Sequence, residues 1–86
     1  MYTLEGVHAA RHGNDDRCFV YLTFVDENGM PTNRSTCGTY TPQGARNVGL
    51  DIAEMVGRTF RAIPPGIEHE RFSRALWAAL AAELAE

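Results

Sequence analysis

Two periodicities divide the chain, with the change near Tyr40. Before it, polar and apolar residues alternate; after it, apolar residues recur at helical spacing. From Tyr2 to His12 the alternation predicts a first strand. Tyr2, Leu4, His8, Ala10 and His12 fall on one face, and Thr3, Glu5, Val7, Ala9 and Arg11 on the other. Gly13-Asn14-Asp15-Asp16 is a cluster of turn formers. Arg17 to Val25 carries the strongest strand signal, because Cys-Phe-Val-Tyr-Leu-Thr-Phe-Val is rich in β-branched and aromatic residues. Asp26-Glu27-Asn28-Gly29 then closes a hairpin, with Asn-Gly as the turn signal. Met30 to Tyr40 returns as a mostly polar third strand, and Pro31 near its start suits a sheet edge.

Thr41-Pro42 opens a helix. Threonine can cap, and proline at the first helical position loses no needed hydrogen bond. Ala45, Val48, Gly49, Ile52, Met55, Val56, Phe60 and Ile63 form one stripe at 100° per residue, which predicts a helix to Ala62. Arg46, Asn47, Asp51, Glu54, Arg58 and Arg61 form the opposite face, with Leu50 among them. Pro64-Pro65-Gly66 breaks the helix. A second helix follows, with Phe72, Leu76, Ala79, Leu80 and Leu84 as its main stripe and Trp77 on the flank. Its many alanines favour helix and leave it apolar over most of its circumference.

The expected fold is α+β: a three-stranded antiparallel meander (2–12, 17–25, 30–40) followed by two helices (42–62, 67–85), in one domain spanning 1–86. One feature of that layout asks for more cover than two helices readily supply. The second strand is apolar on both faces: Cys18, Val20, Leu22 and Phe24 on one, Phe19, Tyr21, Thr23 and Val25 on the other. One face can meet the first helix. The other needs the second helix or another molecule. Together with the over-apolar second helix, this predicts a homodimer or a tight heteromer.

Charge narrows the partners. All eight basic side chains are arginine, against eleven acids, for a net charge of −3. The excess of acid holds in both halves: three arginines to five acids up to Gln43, five to six from Gly44. No basic arm exists to draw in a phosphate backbone, which disfavours nucleic acid. The start of the chain has neither a basic segment nor an apolar one, and the longest apolar run, Ala75 to Ala82, is far below the ~20 residues of a membrane helix. A soluble, cytoplasmic bacterial or phage protein is expected, with no membrane partner.

Candidate chemistry is sparse. A four-residue hairpin loop would set Cys18 directly opposite Cys37, and a two-residue Asn-Gly turn would make them diagonal neighbours. Buried thiols, a disulfide or a share in a metal site all remain open. His8 and His12 have a spacing that suits one metal ion on a helix, but on a strand it spans ~13 Å. A zinc site of Cys18, Cys37 and His8 has no CxxC element behind it. Asp15-Asp16 and Asp26-Glu27 sit in turns, the serines lack a nucleophile-elbow context, and there is no lysine for a phosphate loop. No catalytic residue, metal or cofactor is predicted.

The sequence therefore points to a non-enzymatic protein-binding module: a small regulator, inhibitor or adaptor, of the phage-encoded or immunity type, docking on a protein partner. Arginine, tyrosine and tryptophan are preferred interface anchors, which selects Leu50, Arg58, Arg61, Trp77, Tyr21 and Phe19 as partner-binding candidates. The alternative from another class is a nucleic-acid-binding protein using the sheet face, Phe19 and Tyr21, with the helix arginines. A Cys/His zinc protein is the weaker third reading.

Overall fold

The computed structural model describes residues 1–14 and 16–85; Asp15, in the first predicted turn, lies outside them. The elements in chain order are β1 (Tyr2–Arg11), β2 (Cys18–Val25), β3 (Pro31–Ser35), α1 (Pro42–Ala53), β4 (Thr59–Phe60) and α2 (Ser73–Ala82), with a 3-10 turn at Ile67–His69 before α2. The strands form one antiparallel sheet in the order β3-β2-β1-β4. The α+β class is as expected, with a fourth strand that the alternation pattern did not predict.

The hairpin between β2 and β3 sets the register. Asp26 N donates to Met30 O at 3.1 Å and Gly29 N to Asp26 O at 3.0 Å, leaving a three-residue loop, Glu27 to Gly29. Gly29 supplies the positive φ (80°) that such a loop needs at its last position. The Asp26 carboxylate accepts from Asn28 N and Met30 N at 2.8 and 2.9 Å, which holds the turn closed. Val25 therefore faces Pro31, not Met30, and Leu22 faces Arg34. Neither register expected from the sequence occurs. A shift of one residue exchanges the two faces, and β3 ends at Ser35, well short of Tyr40. Thr36, buried, gives both its N–H (2.8 Å) and its hydroxyl (3.1 Å) to Val20 O. The chain then leaves the sheet and rejoins it where Tyr40 bridges Cys18. Cys37 is exposed and its N–H bonds to Glu70 O, so it does not face half-buried Cys18, and both cysteines are free.

A bulge corrects the faces of β1. The register shifts between Leu4 and Gly6, so Leu4, Val7 and Ala9 pair with Phe24, Leu22 and Val20. The straight alternation grouped Leu4 with His8 and Ala10. The extra residue at the bulge puts those two on the opposite face, beside Tyr21 and Phe19.

Both helices pack on the Leu4–Val20–Leu22–Phe24 face. Ala45, Val48 and Ile52 of α1, Met55 just after it, Phe60 of β4, Ile67 of the 3-10 turn, and Leu76 and Leu80 of α2 complete one core. Thr41 caps α1 by accepting from Gly44 N at 3.1 Å, with Pro42 at the first turn as expected.

The helix does not reach Ala62. After Ala53 the bonds tighten to Met55 N→Ile52 O (2.9 Å) and Val56 N→Ala53 O (3.1 Å). Gly57, at φ 89°, reverses the chain. Its N–H bonds to Leu4 O at 2.8 Å, and Leu4 N bonds to Arg58 O at 3.1 Å, which launches β4 beside β1. Phe60 still reaches the core, but from a strand: its ring meets Phe24 edge-on at 5.9 Å. Helical spacing at Met55 and Phe60 thus has a second solution, a tight turn followed by an extended segment.

The second helix is also shorter than 67–85. Glu70 and Phe72 are extended, and α2 begins at Ser73. Residues 70–71 are held to the loop after β3 by the Cys37–Glu70 bond and by Tyr40 Oη donating to Arg71 O. This strap places Phe72 at the N-cap, 72% exposed, instead of in the core stripe. Past α2, Leu84 bridges Phe60 and Ala85 N bonds to Thr59 O at 3.0 Å.

Candidate functional site

α1 and α2 lie side by side, and a groove opens between them on the side away from the sheet. Leu50, Asp51 and Glu54 line one wall; Ser73, Arg74 and Trp77 line the other, around a volume of about 480 Å³. Leu50 and Glu54 are one helical turn apart, as are Ser73 and Trp77, so each wall is a single face of its helix. Leu50 is 61% exposed and Trp77 36% exposed, while Ile52, Leu76 and Leu80 beside them are fully buried. The helices are thus anchored by one set of apolar residues and present another to solvent. Two carboxylates and one guanidinium rim the groove.

The other candidates lie elsewhere. Phe19 and Tyr21 are on the outer face of the sheet, 6.1 Å apart, and Tyr21 stacks on His8 at 5.0 Å. Among the described residues no helix covers that face. The Phe19, Tyr21, Thr23 and Val25 side chains are half-buried because neighbouring strands lean over them: His8 on Tyr21, and Asn33 accepting the Thr23 hydroxyl at 2.8 Å. Arg61 donates from Nη2 to Ala82 O at 2.6 Å and from its backbone to Glu83 O at 2.8 Å, satisfying carbonyls at the end of α2. Arg58 is half-buried at the start of β4. The structure brings Leu50 and Trp77 together, keeps Phe19 and Tyr21 together on the opposite side of the molecule, and sets Arg58 and Arg61 apart from both.

Sequence reasoning missed Asp51, Glu54, Ser73 and Arg74 as groove residues. Their signal was their position, one residue or one turn from the two apolar residues already singled out. It also missed Phe72, which with Ala75 and Ala78 makes an exposed apolar strip on the far side of α2 from Trp77. Among the described residues no three of His, Cys, Asp and Glu converge as metal ligands would. No helix among them is long and apolar enough to cross a membrane.

Fold and groove together define a small α+β domain with two helices on one face of a four-stranded antiparallel sheet and an open cleft between them. No protein-family model, curated protein or solved structure shows a significant match to this chain.

Proposed function

We propose that the chain is a non-enzymatic protein-binding module, a small regulator, inhibitor or adaptor, that docks on a protein partner through the α1–α2 groove. The observation that carries this reading is the convergence of exposed Leu50 and exposed Trp77, from two different helices, on one groove. Tryptophan is among the residues that most often dominate binding energy, and a groove between rigid helices holds it at little entropic cost. Asp51 and Glu54 on the rim favour a partner presenting an apolar side chain flanked by basic ones. The small size and net charge of −3 suit an inhibitor of the phage-encoded or immunity type.

The test is capture of binding proteins from a bacterial lysate by immobilised wild type, Leu50→Arg, Trp77→Ala and a control, Arg46→Ala, which alters exposed α1 surface outside the groove. A partner held by wild type and control, and lost from both groove variants while their unfolding midpoints stay near wild type, supports the reading. A partner retained by both groove variants refutes it.

A second reading rests on the aromatic outer face of the sheet, where half-buried Phe19 and Tyr21 lie beside exposed His8. Such a face can stack unpaired bases. Arg46, the arginine within α1, lies on the helical layer and does not line this face. Anisotropy of a labelled single strand settles the matter: binding with a steep salt slope that Tyr21→Ala abolishes supports nucleic-acid recognition, and no binding at low salt removes it.

A further inference from the structure

Sheet edges carry unpaired backbone groups, and folded chains protect them. Two of the edges here are protected. β3 is short and polar and begins with Pro31. The outer side of β4 is closed by the Phe60–Leu84 bridge and the bond from Ala85 N to Thr59 O.

β1 is different. β4 pairs only with Tyr2 and Thr3, and the bonds at Leu4 end its contact. Beyond the bulge, β1 continues to Arg11 with no strand on that side among the described residues. His12 N donates to Arg17 O, so His12 faces β2, and alternation turns His8 and Ala10 the same way. Val7, Ala9 and Arg11 therefore aim their N–H and C=O groups outward. Among the described residues nothing pairs with them. This stretch has no proline and no lysine, and among the described residues no loop covers it.

We infer that the free edge of β1 pairs antiparallel with the same edge of a second copy of this chain, across a twofold axis at Ala9, to make one continuous sheet in the order β3-β2-β1-β1-β2-β3, with each β4 in line with the other copy's β1. The register follows from side chains and sterics. With Ala9 opposite its own copy, Val7 faces Arg11 of the second copy, and His8 faces Ala10. No two like charges face each other in this register. A twofold at His8 would drive the second copy's His12 and Gly13 into Gly57 and Arg58, which already occupy the edge at Leu4. A twofold at Ala10 would pair Val7 with Gly13, where the strand has ended. The small, exposed Ala9 lets the two backbones approach. Such a ladder is small beside the ~1,200–2,000 Å² of a standard interface, so the dimer forms and dissociates across the micromolar range.

The pairing involves none of the groove residues, and the experiment keeps the two apart. Sedimentation of the full chain is compared with Ala9→Lys and Ala9→Glu, each of which sets like charges face to face at the axis. Wild type is expected to shift from monomer to dimer with concentration. Each variant is expected to stay monomeric, and an equimolar mixture of the two to recover the dimer. Amide exchange gives an independent readout: Val7, Ala9 and Arg11 gain protection as wild-type concentration rises, while His8 and Ala10 are protected throughout. A monomer at all concentrations overturns the inference. So does a dimer that survives in both Ala9 variants, or one lost in Trp77→Ala with no change in protection at Val7, Ala9 and Arg11. Partner capture by the Ala9→Lys monomer, measured alongside, reports on the groove alone.

Discussion

Phe60 of β4 sits in the centre of the core. It is fully buried, packs edge-on against Phe24 at 5.9 Å, and lies between β1 and the returning Leu84. Replacing it with alanine removes the ring from a site bounded by backbone on two sides, which cannot collapse to fill the space. Substitutions of this kind cost about 3–5 kcal/mol, and the lost aromatic pair is part of that cost. A chain of 86 residues has about 4–13 kcal/mol to lose, so Phe60→Ala removes from about a quarter of that stability to all of it. Urea titration read by far-ultraviolet circular dichroism is the suitable assay, because Trp77 is too exposed to report on the core. With a slope near 1 kcal/mol/M for a small domain, the midpoint falls by about 3 M or more. Phe60→Leu, which keeps most of the volume, keeps the chain folded and costs roughly 1–2 kcal/mol. A Phe60→Ala midpoint lowered by less than about 1 M, at unchanged slope, refutes the burial of this ring against Phe24.

Two further outcomes test local chemistry. Thr41→Ala removes the oxygen that accepts from Gly44 N and lowers stability by about 1 kcal/mol, a fall of several degrees in thermal midpoint; no shift would mean that Pro42 alone starts the helix. Glycine-to-alanine changes have opposite signs at two sites. Gly29→Ala forces φ 80° on a residue with a Cβ and costs about 1–2 kcal/mol, whereas Gly49→Ala adds a methyl inside α1 with no neighbour within 4 Å and gains about 0.5–1 kcal/mol. Equal effects in calorimetry would sink both assignments.

The elements whose signal is local were legible. β2 announced itself by composition, Thr41-Pro42 by capping chemistry, and the break at Pro64-Pro65-Gly66 by backbone restriction. What escaped were features decided by one residue in a partner segment. The bulge between Leu4 and Gly6 reverses the faces of β1, and no pattern in residues 2–12 records it, because it is set by pairing with Phe24 and Thr23. The hairpin loop has three residues where Asn-Gly suggested two or four, since the Asp26 carboxylate takes two N–H groups and Gly29 takes the positive φ. That one-residue difference moved Cys37 away from Cys18. The strand at Thr59–Phe60 is two residues long, too short to show a period, and its apolar residue happened to continue the stripe of α1.

The site was legible in part for a physical reason. Leu50 and Trp77 drew notice because each breaks the polarity of its own helix face, and such breaks survive whatever the packing turns out to be. Phe19 and Tyr21 drew notice for a reason that the sheet answers differently. An apolar outer face seemed to demand a covering layer, yet each of these side chains is half-buried by its strand neighbours, His8 above all. The unmet need lies instead in the backbone of β1, where Val7, Ala9 and Arg11 present donors and acceptors that only another strand can satisfy in kind. Side-chain hydropathy records apolar faces and is blind to free edges. The expectation of a second copy came from apolar surface; the proposed pairing rests instead on a row of unpaired amides, with its proposed axis at Ala9, which side-chain hydropathy does not single out.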